Sequence, residues 1–98
     1  MPACILSKSA YQDLEEIWEY IAAENPKAAN GVIEKIKAAF SKLTEMPGIG
    51  HKRADLTHYP VLFFAVYHYL IVYQSQSTGI EVVRVLSGYR DIADLLEI

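Results

Sequence analysis

Cysteine is nearly absent from this chain. The single Cys4 cannot close an internal disulfide, so the fold must be held by packing alone, as suits a reducing compartment. Basic residues are in deficit too: 9 Lys and Arg stand against 12 Asp and Glu, a net charge of -3. A field of that sign does not draw in a phosphate backbone, so direct sequence-specific nucleic-acid binding is not expected. No apolar run is long enough to span a bilayer, because the longest, "VLFFAVYHYLIVY", is interrupted by His68 and three tyrosines. No amino-terminal segment joins a basic flank to a long apolar stretch, and the expectation is a soluble cytoplasmic protein. Repeats, low-complexity tracts and linkers are lacking as well, so residues 1–98 are expected to form one domain.

What is present is core-forming material: 52% of the residues are hydrophobic and 21% charged, a balance that excludes a disordered chain. "ACIL" opens with a short apolar run, and Ser7 and Ser9 follow, either hydroxyl able to start a helix. Ser9 with Gln12 fits a capping box. Ala10, Leu14, Ile17, Trp18 and Ile21 then recur at spacings of three and four, and Asp13, Glu15, Glu16 and Glu19 fall mostly around the rest of the cylinder. Asn25 and Pro26 are the cap and first position of a second helix. Its apolar face runs through Ala29, Val32 or Ile33, Ile36, Phe40 and Leu43. So short a link makes the pair an antiparallel αα-hairpin.

"MPGIGHKR" breaks the helical period and delivers the basic cluster His51, Lys52 and Arg53. The texture then turns to β at 62–67, 69–75 and 80–86, with His68 in the first turn and "SQSTG" in the second. Three consecutive strands with short connections form an antiparallel meander. Ile92, Leu95 and Leu96 suggest a last short helix folding back on the sheet. The order is β-α-α-β-β-β-α, an α+β domain with the helical hairpin packed on a small antiparallel sheet. One hairpin covers one face, and strand alternation sends Phe63 and Phe64 to opposite faces, so the second face is expected to expose an apolar patch.

The strings "LSKSAYQDLEEIWEYIAAENPKAA", "MPGIGHKRADL", "YLIVYQ" and "EVVRVLSGYRDI", in this order over nearly the whole chain, resemble the ParE branch of the RelE/ParE toxin superfamily of bacterial type II toxin–antitoxin systems. Ser87 stands where family members often have histidine before the glycine. The resemblance implies a toxin that poisons DNA gyrase by binding, without a cofactor, and is neutralised by a cognate antitoxin whose carboxy-terminal segment wraps it, in a toxin–antitoxin hetero-oligomer. Two alternatives accompany it: a RelE-like endoribonuclease acting on ribosome-bound mRNA, and an inactive homologue that only binds antitoxin.

A metal-independent ribonuclease needs a base, an acid and cations converging on a phosphate. The candidates are His51, Lys52, Arg53, Arg84, Tyr89 and Arg90, with Arg84 and Tyr89 the catalytic pair if the chain is a nuclease. RelE-like toxins are usually strongly basic, and this chain is acidic, which favours a binder. His51, His58 and His68 show no helical pairing of metal-ligand type, so no metal site is expected. Alternation places Arg84 on the face of Ile80, Val82 and Leu86. Either it is a half-buried guanidinium satisfied by Asp91 or by an acidic residue of the first helix, or it contacts a partner. Gly88 permits a tight turn and Asp91 is placed to cap the last helix. Tyr89 and Arg90 are of the types enriched at binding hot spots. The expected partner-binding set is therefore Tyr89, Arg90, Arg84, His51, Lys52 and Arg53.

Overall fold

The computed structural model describes residues 3–87, and the expectations placed on Gly88, Tyr89, Arg90, Asp91 and a last helix lie outside the described residues. The chain runs β1 (Ala3–Leu6), α1 (Lys8–Ala22), α2 (Pro26–Glu45), a 3-10 turn at Pro47–Ile49, β2 (Leu62–Val66), β3 (Tyr69–Gln76) and β4 (Gly79–Ser87).

The cap of α1 is Ser7, not Ser9. The Ser7 hydroxyl oxygen accepts the Ala10 N–H at 3.0 Å while its O–H donates to the Val83 carbonyl at 2.7 Å. Ser7 wins because it directly follows β1 and can serve the helix end and the neighbouring strand together, whereas Ser9 already lies inside the helix. Asn25 caps α2 through its side-chain oxygen, with Pro26 in the first turn. The Trp18 indole N–H donates to Asn30 Oδ1 at 2.8 Å, pinning the two helices across the hairpin.

The sheet order is β1-β4-β3-β2. Strands β2, β3 and β4 form the antiparallel meander, and β1 joins the edge of β4 in parallel, which makes the sheet mixed. That parallel pairing is possible because the whole helical hairpin serves as the crossover between β1 and the meander. The β3–β4 turn closes on Gly79, whose φ of 144° and contact with the Ala3 backbone leave no room for a Cβ.

The main core lies between the helices and one sheet face: Ala10, Leu14, Ile36, Phe40, Leu43, Ile71, Tyr73, Ile80, Val82 and Val85 are all buried there. The second face is not left open as the alternation suggested. Phe63, Val72 and Leu86 are buried on it, joined by Val61 and Leu56 of the long loop before β2. The long loop before β2 thus contributes to a second small core.

Alternation fails in β4. Tyr73 pairs with Val82 but Val72 pairs with Arg84, so Val83 is an additional residue, a β-bulge. Past the bulge the faces exchange: Val85, not Leu86, continues the helix-side face of Ile80 and Val82, while Leu86 joins the opposite cluster. Arg84, opposite Val72, consequently keeps the face of Leu86 but leaves that of Ile80 and Val82.

Candidate functional site

Arg84 is taken up by α1. Its Nε donates to Asp13 Oδ2 at 2.7 Å and its Nη2 to Asp13 Oδ1 at 2.8 Å, and the same carboxylate accepts the backbone N–H of Val85 at 2.9 Å. Strand β1 ends opposite Val82, so the edge of β4 beyond it has lost its strand partner. The Ser7 hydroxyl and the Asp13 carboxylate take over that edge. The Asp13 hydrogen bond, and then its charge, raises the Arg84 pKa above the usual arginine value against the effect of burial.

The sequence grouped Asp13 with acidic residues lying mostly around the rest of the α1 cylinder and offered an acidic residue of the first helix as one possible partner of Arg84. The structure makes Asp13 that partner and buries it to 8% exposure. A signal was available: Asp13 lies three residues after Ala10 and four before Ile17, on the stripe that faces the sheet. A carboxylate there needs a cation and a donor, and β4 supplies both.

The 3-10 turn is bolted to the sheet through Tyr73. The Tyr73 hydroxyl donates to the Pro47 carbonyl at 2.6 Å and accepts the Gly50 N–H at 2.9 Å. A Cβ on Gly50 would collide with the Tyr73 ring, so glycine is required there by close approach. Burial pushes the Tyr73 phenol above the ordinary tyrosine pKa, with the Gly50 bond acting the other way.

Anchored in this way, the chain leaves the turn as the basic loop. His51 exchanges both backbone hydrogen bonds with Phe63, at 2.9 and 2.8 Å, and so extends the outer edge of β2 by one residue. The side chains of His51, Lys52 and Arg53 are exposed. Arg53 forms a two-pronged pair with Asp55 at 3.0 and 2.8 Å, which offsets its charge and lowers the Asp55 pKa.

Two further cations missed in the sequence lie against β2 and the turn that follows it. The Lys42 ammonium lies 5.8 Å from the Phe64 ring centre and the Lys35 ammonium 5.9 Å from that of Tyr67. They are seven residues apart, two turns of α2, on the flank nearest β2. Nothing in a linear reading separates them from the other helix lysines; only packing on β2 brings them against the Phe64 and Tyr67 rings.

A shallow groove of about 610 Å³ opens between the helices over β1, lined by Cys4, Leu6, Tyr11, Leu14, Phe40 and Thr44 among others. Burial raises the Cys4 thiol pKa more than its hydrogen bond with Thr44 lowers it, so the thiol is a poor nucleophile. Among the described residues no three His, Cys, Asp or Glu side chains converge as a metal would require. No helix among them is long and apolar enough to cross a membrane.

Comparison with known proteins places residues 4–92 on the family model described as the ParE toxin of the type II toxin–antitoxin system parDE. The fold is similar to a chain from the chromosomal ParDE TA system of P. aeruginosa, with a TM-score of 0.72 and 18% identity over 89% of this chain and 96% of that one. No curated protein matches the sequence.

Proposed function

Since the chain belongs to the ParE toxin family of type II toxin–antitoxin systems, we propose that it arrests growth by binding DNA gyrase and holding the enzyme on broken DNA, and that a cognate antitoxin silences it. The observation that carries binding over RNA cleavage is the engagement of Arg84. A ribonuclease of this fold would aim that cation at a phosphate, and here two hydrogen bonds commit it to Asp13. With its charge offset in this way, Arg84 leaves the partner-contact set and becomes a structural tie.

The remaining contacts to gyrase are assigned to Tyr89 and Arg90 and to the exposed basic loop at His51 and Lys52, with Arg53 weakened by Asp55. The antitoxin segment is assigned to the open groove between the helices, whose apolar lining in a charged surface suits a protein partner. No turnover by the toxin is involved.

The test is a supercoiling assay with purified gyrase, relaxed plasmid, ATP and antitoxin-free protein, stopped with detergent and protease. Loss of supercoiling with accumulation of linear DNA is the expected result. Unchanged gyrase activity together with cleavage of mRNA on programmed ribosomes would replace this reading by the nuclease one. A null in both would leave an antitoxin-binding protein without a toxic activity.

A further inference from the structure

Among the described residues the outer edge of β2 is only partly closed. Because Phe63 spends both backbone groups on His51, alternation directs the N–H and C=O of Leu62, Phe64 and Val66 to β3 and those of Ala65 outward again. Ala65 is exposed, and no described strand pairs with it on that side. Native sheets usually blunt such an edge with a charge, a proline or a covering element. Here the strand residue itself is an alanine and the charges sit beside it, on the helix.

Those charges have one sign. Lys35 and Lys42 rest against the Tyr67 and Phe64 rings, and neither belongs to an ion pair among the described residues. In a chain of net charge -3 this clustering favours an anionic partner.

The adjoining turn carries backbone strain. Tyr67, the first residue of the two-residue β2–β3 connection, has a φ of 54°. Glycine or asparagine would adopt that conformation at less cost. The tyrosine kept there holds a 65% exposed ring against Lys35 at the end of the open edge. Strain at an exposed aromatic is a pointer to use in binding.

From these observations we infer that the β2 edge at Ala65 is a strand-addition site for a short, extended, acidic segment of a protein partner. The segment continues the pairing that His51 begins, exchanging two main-chain hydrogen bonds with Ala65. Its carboxylates meet the lysines. Lys35 and Lys42 are separated by roughly 10 Å along the helix axis, and same-face residues of a strand repeat every ~6.8 Å, so carboxylates two or four positions apart in the segment reach both. The sheet edge supplies affinity without sequence preference, and the lysines supply the choice of acidic over basic peptides. The inference does not depend on which enzyme the protein inhibits.

The probe is a nine-residue capped peptide alternating valine with glutamate, compared with its valine–lysine counterpart by fluorescence anisotropy at low salt. The glutamate peptide is expected to bind at least tenfold more tightly, and to slow hydrogen exchange at the Ala65 amide of the unaltered protein. Ala65→Pro removes the outward N–H without touching a β2–β3 ladder bond, and is expected to weaken binding at least tenfold. Lys35→Glu combined with Lys42→Glu is expected to abolish the preference for the acidic peptide. Equal binding of the two peptides, exchange protection at β1 with none at Ala65, or unchanged affinity in folded Ala65→Pro would each overturn the proposal. The exchange measurement decides the matter even if the proline variant fails to fold.

Discussion

Asp13 and Arg84 lie 71 positions apart in the chain and meet in a two-pronged ion pair, with the same carboxylate accepting the Val85 N–H. The pair fastens the first turns of α1 to β4 just beyond the bulge at Val83. The Asp13 side chain is 9% exposed and that of Arg84 22%, so solvent screens the interaction only in part.

Asp13→Ala is expected to destabilise the protein by about 3 kcal/mol, because it leaves a half-buried guanidinium and a strand N–H without this acceptor. Asp13→Asn, which keeps an oxygen for Val85, is expected to lose less. Urea denaturation of the three proteins checks the order, and equal midpoints for Asp13→Ala and the unaltered protein would refute the role.

Tyr73→Phe removes the bonds to the Pro47 carbonyl and the Gly50 N–H, with an expected loss of about 2 kcal/mol. In a domain of this size that lowers Tm by roughly 8 to 16 °C. The substitution also has a pH signature. The folded state raises the phenol pKa, so it binds the proton more tightly than the unfolded chain. The resulting stability is whole below the ordinary tyrosine value of about 10 and is lost as pH rises through the folded value. Tyr73→Phe should therefore flatten the fall in stability above that pH, leaving the contribution of Tyr69, whose pKa burial raises in the same direction. Thermal melts from pH 8 to 11 measure both slopes.

Gly79→Ala combines an unfavourable φ with a collision against the Ala3 backbone. The expected cost is about 2 kcal/mol or more. The damage should concentrate where β1 meets β4, so amide exchange should accelerate at the β1 pairing before it does in β2 and β3. Uniform acceleration across the sheet would argue for a global effect instead.

For gyrase inhibition, Lys52→Glu is expected to raise the half-inhibitory concentration by about tenfold, the scale of a single substantial interface contact. Arg53→Ala should change it less, because Asp55 already offsets that charge. Tyr89→Ala and Arg90→Ala should each weaken inhibition in graded fashion. The supercoiling assay ranks the variants, and an Arg53→Ala effect larger than that of Lys52→Glu would contradict the assignment.

Much of the architecture was legible because it follows from local rules. Spacings of three and four at Ala10, Leu14, Ile17 and Ile21 define the face of one helix, Asn25 with Pro26 starts the next, and the β-rich runs separated by His68 and by "SQSTG" define the meander. The basic loop was legible for the same reason, since its charges are consecutive in the chain.

What the sequence by itself determined was thus the elements from β1 to β4, their order and the family to which they belong, because each rests on residues within a few turns or strand positions of one another. Tertiary structure decided the rest. The bulge at Val83 belongs to a pair of strands rather than to one, so β4 alone could not reveal that Arg84 leaves the face of Ile80 and Val82. The burial of Asp13 needed a cation 71 residues away, and the placing of Lys35 and Lys42 against the Tyr67 and Phe64 rings needed α2 to lie along β2. Charges interact through space, so a linear chain does not specify their partners until packing has brought them together.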